Sequence, residues 1–211
     1  MYKIFLAAAA ATLLSIGGAQ AATVSISGST LSSPSANNDF IDEMTAALGG
    51  PLAFLSPSSL TLTKSARLTF TAVGAESGLN NGFTAIGAGS LTENGYFGEG
   101  KNFLLGGSDS VTGIFSAGSL NKLLSFFTQF DVDSTVNPLD ALGQFGVFVK
   151  DGMKAHTSVF LAFDDAPGNP DDNHDDFIVR MDVAAVPLPA AGLLLLGALG
   201  GFAALRRRKT A

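Results

Sequence analysis

Short segments in which apolar and polar residues alternate run through the middle of this 211-residue chain. In residues 67–73, Leu68, Phe70 and Ala72 alternate with more polar neighbours, which places them on one face of a strand. Turns rich in Gly, Ser and Asn separate such segments. The other predicted strands are 60–63, 82–86, 102–105, 111–115, 144–149, 158–163 and 177–183. The pattern predicts a mainly β domain, a β-sandwich of the jelly-roll kind.

Two segments do not have a simple strand pattern. Residues 39–48 have an acidic first turn and are followed by Gly49, which predicts a short helix. Residues 119–131 fit either a helical stripe or one face of a strand, and their strand neighbours favour a strand. Asn80-Asn81-Gly82 and Glu93-Asn94-Gly95 are predicted to be turns, because Asn and Gly tolerate positive φ angles.

Phenylalanine is abundant, with 17 residues, whereas the chain has two Tyr and no Trp. This composition predicts that Phe fills the interior between two sheets. There is also no Cys, so a disulfide framework, a thiolate metal site and a cysteine nucleophile are all excluded.

The amino-terminal end has the three zones of a secretion signal. Lys3 is basic, residues 4–16 are apolar, and Gly17-Gly18 precede Ala19-Gln20-Ala21. The small side chains of Ala19 and Ala21 suit the subsites of signal peptidase. Residues 1–21 are therefore predicted to be a cleaved signal peptide, followed by an ectodomain over 22–185.

The carboxy-terminal end, residues 186–211, also has three parts. Val186-Pro187-Leu188-Pro189-Ala190 leads into an apolar run, and Arg206-Arg207-Arg208-Lys209 follows it directly. Residues 187–205 would span roughly 28 Å as a helix, close to the thickness of the hydrocarbon core. An Arg in the middle of a membrane costs about 2.5–3.5 kcal/mol, so the four cations act as a basic stop on the cytoplasmic side. A transmembrane helix is predicted over 187–205.

This tail resembles the VPLPA-CTERM sorting signal, a relative of the PEP-CTERM signals of Gram-negative bacteria. The resemblance rests on residues 186–190, the apolar run and the basic cluster. It implies processing by an exosortase-type enzyme, an inner-membrane-anchored precursor, and a final place at the cell surface or outside the cell. It also implies an association with exopolysaccharide or biofilm. A plain single-span anchor is the alternative.

The charge balance limits the partners of the ectodomain. Five of the 12 basic residues lie in the two ends, and none of the 18 acidic residues does, which gives the ectodomain a formal charge of −11. A surface this acidic repels phosphate backbones, so nucleic acid is not expected as a partner.

An Asp-rich loop, residues 164–176, lies between two strands predicted to pair as a hairpin. Calcium binds six to eight oxygens, so a structural Ca²⁺ site is one interpretation of the loop. A solvated loop is the second, and catalytic carboxylates are the third. PEP-CTERM-type proteins often carry such a loop just before the tail. An EF-hand is rejected, because Asp176 replaces the required Gly and Asp182 falls on a strand. The predicted metal ligands are Asp164, Asp165, Asp171, Asn173, Asp175 and Asp176.

Catalytic motifs are absent from the sequence. It contains no G-x-S-x-G elbow, H-E-x-x-H pair or phosphate-binding loop, and His156 and His174 are its only histidines. His174 lies among carboxylates and is interpreted as an incidental loop residue, with a charged partner of those carboxylates as the alternative. The prediction is a non-enzymatic surface or matrix protein. One alternative is a glycan-binding module with an exposed aromatic strip drawn from Phe83, Tyr96, Phe97 and Phe103. A surface hydrolase using the loop aspartates is the other.

Overall fold

The computed structural model describes residues 21–30, 38–76, 80–93, 102–103, 107, 109–128, 135–136, 145–165 and 174–186. The predicted signal peptide and sorting tail lie outside these ranges, apart from Ala21 and Val186. Among the described residues, no helix combines the length and the apolar character needed to cross a membrane.

The described part of the chain is mainly β, as predicted, and every strand pair in it is antiparallel. Its single helix is α1 (Ile41–Leu48). The strands are β1 (Val24–Thr30), β2 (Leu52–Leu62), β3 (Ala66–Ala75), β4 (Asn81–Ala85), β5 (Gly89–Thr92), β6 (Asn102–Phe103), β7 (Ser110–Phe115), β8 (Gly118–Ser119), β9 (Leu124–Thr128), β10 (Thr135–Val136), β11 (Phe145–Lys150), β12 (Ser158–Phe163) and β13 (Phe177–Ala185).

The strands form a larger and a smaller sheet. The larger sheet has the order β1-β2-β11-β12-β13-β3-β6, with β7 also paired to β3 and β8 to β2. The smaller sheet has the order β10-β9-β4-β5. Because β12 and β13 are adjacent and antiparallel, the predicted hairpin around the Asp-rich loop is confirmed.

A core rich in Phe lies between the two sheets. Phe126 of the smaller sheet stacks on Phe163 with ring centroids 5.1 Å apart, and it also contacts Phe145 and Phe177 of the larger sheet. The predicted role of Phe is confirmed for many of these side chains. The fully buried ones in this core are Phe70, Phe83, Phe126, Phe145, Phe163 and Phe177.

The opposite face of the larger sheet is covered by α1. Met44 of the helix and Phe40 just before it pack against a second cluster that includes Phe54, Phe148 and Phe160. The predicted short helix is therefore confirmed, and it ends at Gly49, which has the left-handed φ of 69°. Since β11 and β12 are covered on both faces, their sequences are nearly continuous apolar runs rather than alternating ones. In β13 the apolar run 177–179 gives way to an alternation of Arg180 and Asp182 with buried neighbours.

Two local predictions have different outcomes. The strand interpretation of 119–131 is confirmed for 124–128, which form β9 with Leu124 and Phe126 buried on one face. Residues 121–123 form a turn instead, and 129–131 lie outside the described residues. The turn predicted at Asn80-Asn81-Gly82 is wrong, because β4 begins at Asn81. A Cβ at position 82 would lie 2.3 Å from the ring of Phe127. Gly82 thus gives room to an aromatic ring within the sheet instead of forming a turn.

Candidate metal centre

Acidic residues gather at one end of the larger sheet, where several elements begin or end. Phe163, the last residue of β12, pairs with Phe177, the first residue of β13. Asp164 and Asp165 therefore leave the sheet beside Asp175 and Asp176, which enter it. This pairing places four of the six predicted ligands at the mouth of the hairpin. The other two, Asp171 and Asn173, lie outside the described residues.

Two more carboxylates reach the same end from distant parts of the sequence. Gly74, near the end of β3, pairs with Ile178, so Glu76 emerges next to the start of β13. Asp39 lies just before α1, and its backbone N–H donates to Asp175 Oδ2 at 3.0 Å, across 136 residues of sequence. The start of the helix is thereby attached to the hairpin.

Asp39, Glu76 and Asp175 form a compact cluster, here called the acidic triad. Each offers a carboxylate oxygen, and these oxygens all lie within 4.8 Å of one another. Two ligands of one Ca²⁺, each 2.3–2.6 Å from the ion, are at most about 5 Å apart, so the spacing fits. Asp175 is buried, Glu76 is half-buried and Asp39 is exposed. The acidic triad can therefore bind a metal ion.

The ligand chemistry favours a hard cation. All three triad side chains offer oxygen, which suits calcium or magnesium rather than zinc. The nearby His174 is buried, with the edge of its ring against Phe54 at a centroid distance of 4.8 Å. Its backbone has a φ of 58°, and its carbonyl oxygen accepts a hydrogen bond from Asn38 Nδ2. The interpretation of His174 as an incidental loop residue is wrong, because it packs in the structure.

A second acidic group lies around a buried amide and is here called the Asn81 cluster: Asn81, Glu93, Asp165 and Asp176. The backbone N–H of Asn81 donates to Glu93 Oε2 at 3.0 Å, and its Nδ2 donates to Asp165 Oδ2 at 2.8 Å. The backbone N–H of Asp165 donates to Asp176 Oδ2 at 2.8 Å. The cluster joins the smaller sheet, which carries Asn81 and Glu93, to the hairpin of the larger one.

Two carboxyl groups of the Asn81 cluster have strongly raised pKa values. Burial raises the pKa of Glu93 to about 7, partly offset by the Asn81 N–H, and the charges of Asp165 and Asp176 raise it further. Burial likewise raises the pKa of Asp176 to about 7, against the Asp165 N–H and together with the charges of Asp165, Asp164 and Asp175. Buried carboxylates that repel one another are stabilised by a proton or a cation.

The predicted ligands are thus divided between two groups. Asp175 belongs to the acidic triad, Asp165 and Asp176 belong to the Asn81 cluster, and Asp164 is buried beside them. Asp182 lies away from both, as predicted, where it accepts hydrogen bonds from Arg180 and Ser158.

Sequence reasoning did not associate Asp39, Glu76 or Glu93 with the loop. Glu76 and Glu93 each follow the end of a strand, and Asp39 precedes the helix. Their location next to the ends of elements was the available sequence signal. One strand ends where its antiparallel neighbour begins, so residues that flank the two strands lie close together at one edge of the sheet.

The aromatic residues proposed for a glycan platform do not form one in the described residues. Phe83 is wholly buried between the sheets, so its assignment to an exposed strip is wrong. Phe103 is half-buried and packs on Phe40 with ring centroids 5.3 Å apart. Tyr96 and Phe97 lie outside the described residues.

Comparisons with known proteins identify no relative of this chain. No family model, no curated protein and no solved structure matches the chain.

Proposed function

We propose that this chain is a non-enzymatic surface or extracellular-matrix protein, exported through its signal peptide and sorted by its carboxy-terminal tail. The observation that carries the proposal is the order of motif, apolar run and basic stop over residues 186–209. Signal peptidase acts on the precursor at Ala21, and the tail holds it in the inner membrane. An exosortase-type enzyme then cleaves near 186–190 and delivers the ectodomain to the cell surface or the medium.

The limits of the packed domain support this division of the chain. Ala22, the residue after the proposed cleavage site, is buried in the core between the sheets. At the other end, β13 finishes at Ala185, directly before Val186 of the sorting motif. Removal of either terminal segment at these points leaves every described strand intact.

The ectodomain, in this proposal, is a β-sandwich stiffened by calcium at the acidic triad. The triad residues come from the start of α1, the end of β3 and the start of β13, so one ion ties three distant segments together. Calcium sites in extracellular modules have dissociation constants of roughly 10⁻⁴–10⁻³ M, which suits a weak structural site outside the cell. An acidic exterior of this kind fits the proposed place among exopolysaccharides.

Substitution within the sorting motif tests the proposal. In the double variant Pro187→Ala and Pro189→Ala, the helix is free to continue through the segment that the enzyme must grip. We expect the full-length precursor to accumulate in the membrane fraction while the surface fraction falls to background. Gly197→Ala in the apolar run is the matched control and is expected to be processed normally. Equal surface fractions for the double variant and the native chain would refute sorting through this motif.

A further inference from the structure

Asn81 is completely buried, yet its side-chain oxygen has no hydrogen-bond partner among the described residues. Its Nδ2 and its backbone N–H are both used, in hydrogen bonds to Asp165 and Glu93. A buried carbonyl oxygen left without a partner costs about 1–3 kcal/mol, so such atoms in native proteins point to a ligand or an ordered water. The unpaired Asn81 Oδ1 therefore indicates that a ligand or an ordered water lies beside it.

The oxygen lies close to several carboxylates. Oδ1 and Nδ2 of an amide share one carbon atom, so Asn81 Oδ1 lies within about 5 Å of Asp165 Oδ2. Hydrogen bonds occupy Glu93 Oε2 and Asp176 Oδ2, and each of these carboxylates has a second oxygen with which it can bind a ligand. Three carboxylates and one amide oxygen form the type of ligand set that hard divalent cations prefer.

We propose that the Asn81 cluster binds a second divalent cation, of the calcium class, at a site separate from the acidic triad. Among the described Asp, Glu and His residues, the acidic triad is the group whose ligand atoms all lie within 4.8 Å of one another. The carboxylates of the Asn81 cluster are more widely spaced. Its ion therefore takes part of its coordination through water, as calcium commonly does.

The two ions tie different parts of the fold together. The triad ion connects α1 to the larger sheet, whereas the Asn81 ion connects the two sheets. Asn81 is the first residue of β4 and Glu93 directly follows β5, whereas Asp165 and Asp176 come from the β12–β13 hairpin. Adjacent residues Asp175 and Asp176 contribute to one site each, so the second site stands on its own ligands.

Calcium titration of the full chain in mild detergent, after treatment with a chelator, tests the proposal. Isothermal titration calorimetry is expected to show two bound ions for the native chain and one for Glu93→Gln. Gln keeps an oxygen that accepts the Asn81 N–H, so the fold is retained, which the near-ultraviolet circular dichroism spectrum checks. Asp42→Asn removes an exposed charge near the same end and is expected to leave two ions.

The Glu76→Gln variant separates the second site from the triad. One ion retained by Glu76→Gln and lost in the double variant Glu76→Gln, Glu93→Gln supports the second site. A single ion in the native chain that disappears in Glu93→Gln but not in Glu76→Gln supports the second site and refutes triad calcium. Ion binding that is unchanged in Glu93→Gln refutes the second site, whatever happens at the triad.

Discussion

Replacement of Phe126 by Ala is expected to lower the free energy of unfolding by about 3–5 kcal/mol, the range for deleting a fully buried aromatic ring. Phe126 is 0% exposed and lies where the smaller sheet meets the larger one. Its ring is 5.1 Å from that of Phe83 in its own sheet and 5.1 Å from that of Phe163 across the core. The truncation leaves a cavity between the sheets that neighbouring Phe rings cannot fill without moving.

Urea unfolding of the full chain, followed by circular dichroism at fixed calcium concentration, measures this loss. Phe126→Leu keeps most of the volume and is expected to cost about 1 kcal/mol. Ile114→Ala, at a side chain that is 66% exposed, is expected to change stability by less than about 0.5 kcal/mol. A loss below about 1 kcal/mol for Phe126→Ala would mean that this ring does not hold the sheets together, contrary to its full burial.

Calcium is expected to raise the melting temperature of the chelator-treated chain by about 5–10 °C for each occupied site. Saturation at one hundred times the dissociation constant stabilises the folded state by about 2.7 kcal/mol per site, and 1 kcal/mol corresponds to roughly 2–4 °C for a domain of this size. The physical reason is that the ion neutralises carboxylates from three segments which otherwise repel one another in the folded state.

Thermal scans of two variants assign this stabilisation to the acidic triad. Glu76→Gln removes one triad charge and is expected to lose the triad share of the calcium-dependent shift. Asp42→Asn, which lies on an exposed position of the first helical turn, is expected to keep the full shift. If Glu76→Gln shows the same calcium-dependent shift as the native chain, the triad is not a calcium site.

The fold was predictable where side-chain pattern and turn chemistry agreed. Strand 158–163 has the bounds predicted from its apolar run, and its hairpin with β13 followed from the two flanking strands. Strands β1 and β5 were not predicted, because Ser and Gly make up much of their sequence. Such segments join a sheet through their backbone hydrogen bonds with neighbours, and a single sequence does not display those neighbours.

The candidate site was predictable only in part, for a different reason. The Asp-rich loop marked the acidic end of the molecule because its charges are close in sequence. The acidic triad, however, joins Asp39 and Asp175 across 136 residues, and the Asn81 cluster depends on the packing of one sheet on the other. Contacts of this kind arise from tertiary structure, and no local pattern encodes them.

The intact mass of the mature protein, purified from a host with and without the cognate sorting enzyme, tests whether the tail is a processed sorting signal. With the enzyme, the expected product is a chain that begins near Ala22 and ends within 187–190, alone or with an added group. Without the enzyme, the chain retains Arg206 to Ala211. A mass that includes these last residues in both hosts would show that the tail is a plain anchor and would contradict sorting.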